Sequence, residues 1–261
     1  MKETGLGHEI KIRKNNLQLT DISIANIVTN SYMLRPLNRD FISKMRPFNS
    51  VITLMYEAWE MRYADIDINA CDQLGIKVCG VSETTKMLPI FDFCGPMIAK
   101  LVFDAGFEIM SNNIVIFSND SFGKVAKKTF KALGAASVTL TNDLFAIPNV
   151  LEKADFLLLA DYKTVKPLLE TSGCAPINFL NKYNPELNII HLFGEISEHE
   201  VKLLKGRIFP ETSGLANMMT YNLSSCGEIP VFWLQVAGLK AAQEVLEGGP
   251  IIFSQDITSE I

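Results

Sequence analysis

The sequence lacks the features that identify several large classes of protein. It has no continuous apolar run long enough to cross a membrane and no early stretch typical of a secretion signal, so we expect a cytoplasmic protein. Lysine and arginine number 24 against 29 aspartates and glutamates, and the net charge is -5. No basic cluster offsets that charge, which argues against nucleic acid as a partner.

Cysteine and histidine are also scarce. The five cysteines form no C-x-x-C pair, which predicts reduced, mostly buried thiols and no metal site. Only three histidines are present, His8, His191 and His199, so any histidine chemistry is confined to these positions. With 48% hydrophobic and 20% charged residues, the 261-residue chain has an ordinary globular composition and can form one large domain or two modest ones.

The most informative stretch lies between residues 113 and 142. Ile114 to Phe117 is a continuous apolar run, which is typical of a strand buried on both faces. Apolar side chains then recur at helical spacing from Val125 to Leu133, and Ser137 to Thr141 predicts a second strand. A strand, tight turn, helix and strand within about 30 residues indicates the opening of a dinucleotide-binding fold.

The turn of this unit lacks two of the three glycines of the G-x-G-x-x-G fingerprint. It reads Ser118-Asn119-Asp120-Ser121-Phe122-Gly123, so only the glycine that lets helix and strand pack closely remains. Asp120 replaces the second glycine and brings its own carboxylate to the helix N-terminus, where a phosphate would lie.

Two interpretations of the turn stay open. In the first, Ser118, Asn119, Ser121 and the amides of Phe122 and Gly123 donate to a phosphate, while Asn142 binds a ribose hydroxyl. This predicts NAD or NADP as a cofactor. In the second, the fold has kept its packing glycine and binds no cofactor.

The rest of the chain alternates between strand and helix patterns, which predicts an α/β fold with a doubly wound parallel sheet. Further strands are expected over residues 21–28, 50–55, 76–79, 155–160, 187–192 and 208–209. Further helices are expected over 37–45, 67–74, 87–106, 165–169, 197–204 and 231–246, with Asp67 capping the second of these.

Three segments carry a resemblance to a known family. The first spans residues 50–81 and includes Asp65-Ile66-Asp67 and Gly75-Ile76, the second spans 114–135, and the third is the tail AGLKAAQEVLEGG. Their order and spacing over about residues 20 to 250 resemble the D-isomer-specific 2-hydroxyacid dehydrogenase family.

The resemblance implies an architecture and a function. Residues 1–95 would form a truncated, flavodoxin-like substrate domain, 96–230 a Rossmann-like nucleotide domain, and 231–261 a C-terminal helix that packs back on the first domain. It further implies a homodimer and an NAD(P)-binding oxidoreductase that acts on a small carbonyl or hydroxy-acid-type metabolite.

The sequence departs from the family at the positions of the family's catalytic residues. Phe193 stands in the place of the catalytic arginine, and no histidine follows His199, although the family's acid–base histidine lies near the C-terminus. We therefore expect a rebuilt active site. Its catalytic candidates are His191, at the end of a predicted strand, and Glu57 and Arg62, on a lengthened substrate loop that also carries Glu60.

Each candidate has an alternative interpretation. His191 is equally compatible with a buried histidine held by a backbone hydrogen bond, and Glu57 and Arg62 with an ion pair on a solvated loop. The alternative functions are a non-redox enzyme of a specialised biosynthetic pathway, such as a cyclase, lyase or transferase, and a non-catalytic binding protein.

Overall fold

A computed structural model describes residues 19–30, 34–83, 85–163, 168–170, 173–211, 218–248 and 250–256. Internal contacts divide the chain into two compact units. The first comprises Met1–Ser82 with Val236–Ile261, and the second comprises Glu83–Gln235. The domain boundaries expected at residues 95 and 230 stay predictions. The helix expected over 165–169 lies largely outside the described residues.

The first unit is built on a four-stranded sheet. Its strands are β1 (Ile27–Thr29), β2 (Val51–Thr53), β3 (Lys77–Val81) and β9 (Ser254–Asp256), in the spatial order β1-β2-β3-β9. The first three run parallel, and β9 pairs antiparallel with β3. The helices of this unit are α1 (Leu19–Ile24), α2 (Arg39–Ile42) and α3 (Ile68–Gln73). Apolar side chains of β1, β2, β3 and these three helices belong to one buried core cluster.

The expectation of a strand over residues 21–28 is wrong in its first half. Leu19–Ile24 is helical, and the strand begins only at Ile27. Ile22 is buried, whereas Ile24 is exposed, so only part of the apolar run faces the core. A short apolar run has no periodicity that separates helix from strand, which explains the error. The expected cap of α3 is confirmed, because the Asp67 carboxylate accepts a hydrogen bond from the Ala70 amide at 2.9 Å.

The second unit contains a five-stranded parallel sheet. Its strands are β4 (Asn113–Phe117), β5 (Ser137–Thr141), β6 (Phe156–Ala160), β7 (Asn188–Phe193) and β8 (Ile208–Phe209), in the order β5-β4-β6-β7-β8. The helices are α4 (Ile90–Asp104), α5 (Ser121–Ala132), α6 (Pro148–Leu151), α7 (Ile177–Tyr183) and α8 (Glu198–Val201). A last helix, α9 (Glu228–Glu247), begins in the second unit and ends in the first.

The topology confirms the expected α/β fold class with parallel sheets. Because parallel strands end at a common edge, the turns after β4, β6 and β7 lie together at the carboxyl edge of the larger sheet. None of the helices in the described part of the chain is both long and apolar enough to cross a membrane.

Candidate functional site

The turn between β4 and α5 keeps one feature of a nucleotide loop, the close packing of its last glycine. A Cβ atom on Gly123 would lie 2.4 Å from the Cβ of Ser118 and 2.9 Å from a methyl group of Leu140. Since real Cβ atoms do not approach so closely, only glycine fits there. The role predicted for Gly123 in the packing of helix on sheet agrees with this geometry.

Asp120 is the N-cap of α5, and its carboxylate binds three donors. Oδ1 accepts from the Phe122 amide at 2.8 Å and from the Ser118 hydroxyl at 3.0 Å. Oδ2 accepts from the amide of Tyr162, which follows β6, at 3.2 Å. Only 5% of Asp120 is exposed. Burial raises the pKa of Asp120, and these three hydrogen bonds oppose part of that rise.

Aromatic side chains pack around the same turn. The ring of Phe122 lies 4.7 Å from that of Phe193, 5.3 Å from that of Phe91 and 5.8 Å from that of Tyr162. Phe122 and Phe193 are both buried. Phe193, which the resemblance aligns with the family's arginine, is part of an apolar cluster at the ends of β4, β6 and β7.

These residues do not fit a pyrophosphate at the N-terminus of α5. The Phe122 amide, which would donate to a phosphate, already donates to Asp120. The side chains of Asn119, Ser121 and Asn142 are exposed, whereas Ser118 and Gly123 are buried. Two of the donors expected to hold a dinucleotide, the Ser118 hydroxyl and the Phe122 amide, already donate to Asp120. The other expected side chains point no buried donor at the N-terminus of α5, because they are exposed.

A cluster of charged side chains occupies the first unit, on and beside the loop that follows β2. A short 3₁₀ helix, Ala58–Glu60, lies within this loop. Arg62 Nη2 lies 3.2 Å from Glu60 Oε2, and Arg62 Nη1 lies 3.9 Å from Asp65 Oδ2. Arg35 Nη1 reaches the same Asp65 oxygen at 3.2 Å. The Arg62 guanidinium also stacks 4.7 Å from the centre of the Tyr56 ring.

Burial sets the proton affinity of Glu60. The residue is 7% exposed, and burial raises the pKa of its carboxyl from 4.5 to about 7. The positive charge of Arg62 opposes the rise, and the negative charge of Glu57, which is also buried, adds to it. The buried Nε of Arg62 has no hydrogen-bond partner among the described residues. A carboxyl with a pKa near 7 and a cation beside it are typical of acid–base sites.

His191 lies in β7 of the second unit and is fully buried. Its Nε2 is 2.6 Å from the carbonyl oxygen of Gly194. Because a carbonyl oxygen only accepts, Nε2 carries the proton of this hydrogen bond. In the neutral imidazole, the basic nitrogen is therefore Nδ1.

The predicted catalytic residues are not all brought together by one unit. Glu57 and Arg62 share the charged cluster of the first unit, whereas His191 belongs to the second. Sequence reasoning missed Arg35 and Asp65 as members of the cluster, and Tyr162 as a partner of Asp120. In the sequence, Asp65 belongs only to the segment that resembles the family's turn motif. Arg35 and Tyr162 are far in sequence from Asp65 and Asp120, the residues that they contact.

Two open cavities lie elsewhere on the units. One of about 390 Å³ is lined by Leu37, Ile66 and Asp67 among others, and one of about 490 Å³ by Lys202 and Arg207 among others. None of the predicted site residues lines either cavity.

Sequence comparison finds no match to a protein-family profile or to a curated protein. Structure comparison does find similar proteins. D-lactate dehydrogenase from Escherichia coli is 12% identical, with a TM-score of 0.56 over 90% of this chain and 87% of that chain. D-lactate dehydrogenase from Sporolactobacillus sp. is 14% identical, with a TM-score of 0.57 over 94% and 91%.

A third similar structure contains a cofactor. NAD⁺-bound 3-phosphoglycerate dehydrogenase from Entamoeba histolytica is 13% identical, with a TM-score of 0.50 over 93% of this chain and 87% of that chain. At such identities the likeness concerns the fold alone. The resemblance to the D-isomer-specific 2-hydroxyacid dehydrogenases is confirmed at that level: the chain has their fold over about nine-tenths of its length.

Proposed function

We propose that this chain is an acid–base enzyme for a small carbonyl or hydroxy-acid-type metabolite, working without a nicotinamide. The observation that carries the proposal is Glu60, a buried carboxyl with a pKa of about 7, 3.2 Å from Arg62. Near pH 7 such a group is present in both protonation states, so it can remove a proton and return it.

The neighbouring side chains have distinct roles in this proposal. Arg62 offers a cation and a buried Nε–H to a carboxylate or carbonyl oxygen of the substrate. Burial keeps the pKa of Glu60 high, and the negative charge of Glu57 adds to this rise. The reaction is removal of a proton from the carbon next to a carbonyl group. The electron pair moves onto the carbonyl oxygen, and the proton on Glu60 is available for return to the carbon or for delivery to a leaving group.

Deuterium exchange tests this reaction without knowledge of the natural substrate. A panel of small 2-oxo acids and other carbonyl compounds is incubated with the protein in D₂O, and proton NMR follows the loss of the signal of the carbon-bound proton. We expect exchange of at least one compound, with a rate that rises through an apparent pKa near 7. Glu60→Gln should slow exchange by about 10²- to 10⁴-fold, the usual contribution of a general base.

Asp72→Asn is the matched control, because Asp72 is an exposed carboxyl in the same unit. It should exchange the same compound at the wild-type rate. Exchange that is equal in wild type and Glu60→Gln would show that Glu60 is not the base. A panel without any exchange would remove the support for proton chemistry on carbonyl compounds.

A second candidate function is an NAD(P)-dependent oxidoreductase with a rebuilt active site. The fold shared with an NAD⁺-bound dehydrogenase favours it. Calorimetric titration with NADH and NADPH separates the two candidates, once mass spectrometry has shown that the purified protein carries no ligand. Micromolar binding would support the oxidoreductase and would require His191, or another group, to supply the acid.

Two further proposals rest on the resemblance. We propose that the chain forms a homodimer, which light scattering of the purified protein would test, and that it works in the cytoplasm. A monomeric mass at micromolar concentration would contradict the first. The remaining alternative is a non-catalytic binding protein, in which replacement of His191 and Glu57 would leave any cellular activity unchanged.

A further inference from the structure

Asp120 links three separate elements of the second unit. Its carboxylate accepts from the hydroxyl of Ser118, which follows β4, from the Phe122 amide in the first turn of α5, and from the Tyr162 amide beyond β6. We propose that the Asp120 side chain takes the place of a bound phosphate group and closes this nucleotide turn to dinucleotides.

The first argument is competition for donors. A phosphate at the N-terminus of a helix is held by free amide N–H groups, and an N-cap carboxylate is held by the same groups. Here the Phe122 amide lies 2.8 Å from Asp120 Oδ1, and Asp120 is only 5% exposed. A phosphate oxygen therefore reaches that donor only by displacing the carboxylate.

The second argument is charge and space. Asp161, another buried carboxyl residue, follows β6 and lies close enough to raise the pKa of Asp120 by its charge. Two carboxylates at the strand ends repel an incoming polyanion. The rings of Phe122 and Phe193, 4.7 Å apart, fill space beside them. Charge, hydrogen bonding and packing thus all oppose the binding of a phosphate group at this turn.

Inorganic pyrophosphate is the probe for this proposal, because it presents the group that the turn would otherwise bind. The melting temperature of the full chain is measured with and without pyrophosphate at constant ionic strength, for wild type and for Asp120→Gly. The variant restores the glycine of the fingerprint. We expect no shift for wild type and a rise of about 4 °C for the variant when pyrophosphate is at ten times its Kd.

Asp143→Gly is the matched control. Asp143 also accepts from a backbone amide, that of Phe145 at 2.9 Å, but it is exposed and follows β5. It should respond to pyrophosphate as wild type does. Equal responses of wild type and Asp120→Gly, including none in either, would overturn the proposal.

Asp120→Ala serves as a second variant if the glycine variant does not fold. Alanine has no side-chain acceptor for the Phe122 amide and no negative charge, and it lacks the backbone freedom of glycine. Pyrophosphate should then stabilise the alanine variant more than wild type, and equal stabilisation would again overturn the proposal. Independently, micromolar binding of NADH to wild type would show that Asp120 does not close the turn. Neither result depends on Glu60, so this proposal and the acid–base function fail separately.

Discussion

Replacing Glu60 by glutamine should make the protein more stable than wild type at pH 8. Burial raises the pKa of Glu60 from 4.5 to about 7, so the folded state holds this proton more tightly than the unfolded state does. The stability that the protonated carboxyl contributes is fully present below pH 4.5 and is lost as the pH rises through 7. Glutamine stays neutral at every pH, so the Glu60→Gln variant does not lose this stability as the pH rises.

The structure gives the size of the effect. One pKa unit corresponds to about 1.4 kcal/mol, so the difference between 4.5 and about 7 corresponds to about 3 kcal/mol at pH 8. At pH 5 only the first part of the loss has occurred, and the gain from glutamine should be below about 1 kcal/mol. The side chain is 9% exposed, so solvent screening reduces these values little.

Urea unfolding followed by circular dichroism at pH 5 and pH 8 measures the effect. With a slope of about 1–3 kcal/mol per molar urea, 3 kcal/mol shifts the midpoint by about 1–3 M. Asp72→Asn, the exposed control, should change stability by less than about 0.5 kcal/mol at either pH. A Glu60→Gln effect of the same size at both pH values would refute the reasoning, because the group would then have no raised pKa.

Three other substitutions test the second unit by the same unfolding assay. Gly123→Ala places a Cβ 2.4 Å from that of Ser118 and should cost about 1–3 kcal/mol. His191→Leu leaves the carbonyl of Gly194 without the Nε2 donor and should cost about 1–3 kcal/mol. Phe193→Arg, which introduces the arginine that the resemblance expects, replaces a buried ring packed on Phe122 and Tyr162 by a charged side chain, so we expect a loss of about 3–5 kcal/mol and no NADH-dependent reduction of 2-oxo acids.

Each of these three substitutions has its own informative outcome, and Phe193→Arg also has a control variant. Phe145→Arg is the control for Phe193→Arg, because Phe145 is an exposed aromatic residue and should tolerate the charge. A stable, active Phe193→Arg protein would contradict the buried aromatic cluster. An unchanged Gly123→Ala protein would mean that α5 packs less closely on β4. If His191→Leu stops deuterium exchange without loss of stability, His191 belongs to the reaction.

Most of the fold could be predicted from local sequence patterns. The bounds of β5 were predicted to the residue, and Asp67 was predicted to cap α3, because strand periodicity and helix capping depend on neighbours in the sequence. The helix Leu19–Ile24 was missed because a short apolar run suits either structure. The strand β9 was missed because Ser254–Asp256 has no apolar pattern and joins the sheet through its backbone pairing with β3.

The candidate site was only partly predictable, because its chemistry depends on distant contacts. The sequence indicated that Asp120 brings an anion to the helix N-terminus, but its bond to the Tyr162 amide joins residues 42 positions apart. It also placed Glu60 beside Arg62. The raised pKa of Glu60, however, follows from burial, which residue spacing on a loop does not determine.

The most direct test of the proposed acid–base function is the proton affinity of Glu60 itself. Carbon-13 NMR of the glutamate side-chain carboxyls, recorded from pH 4 to pH 9, gives the titration midpoint of each group, and the spectrum of Glu60→Gln assigns the signal. We predict a midpoint near pH 7 for Glu60. A midpoint below pH 5 would contradict the proposal, because the carboxyl would then be an ordinary charged partner of Arg62 with no proton to exchange near neutrality.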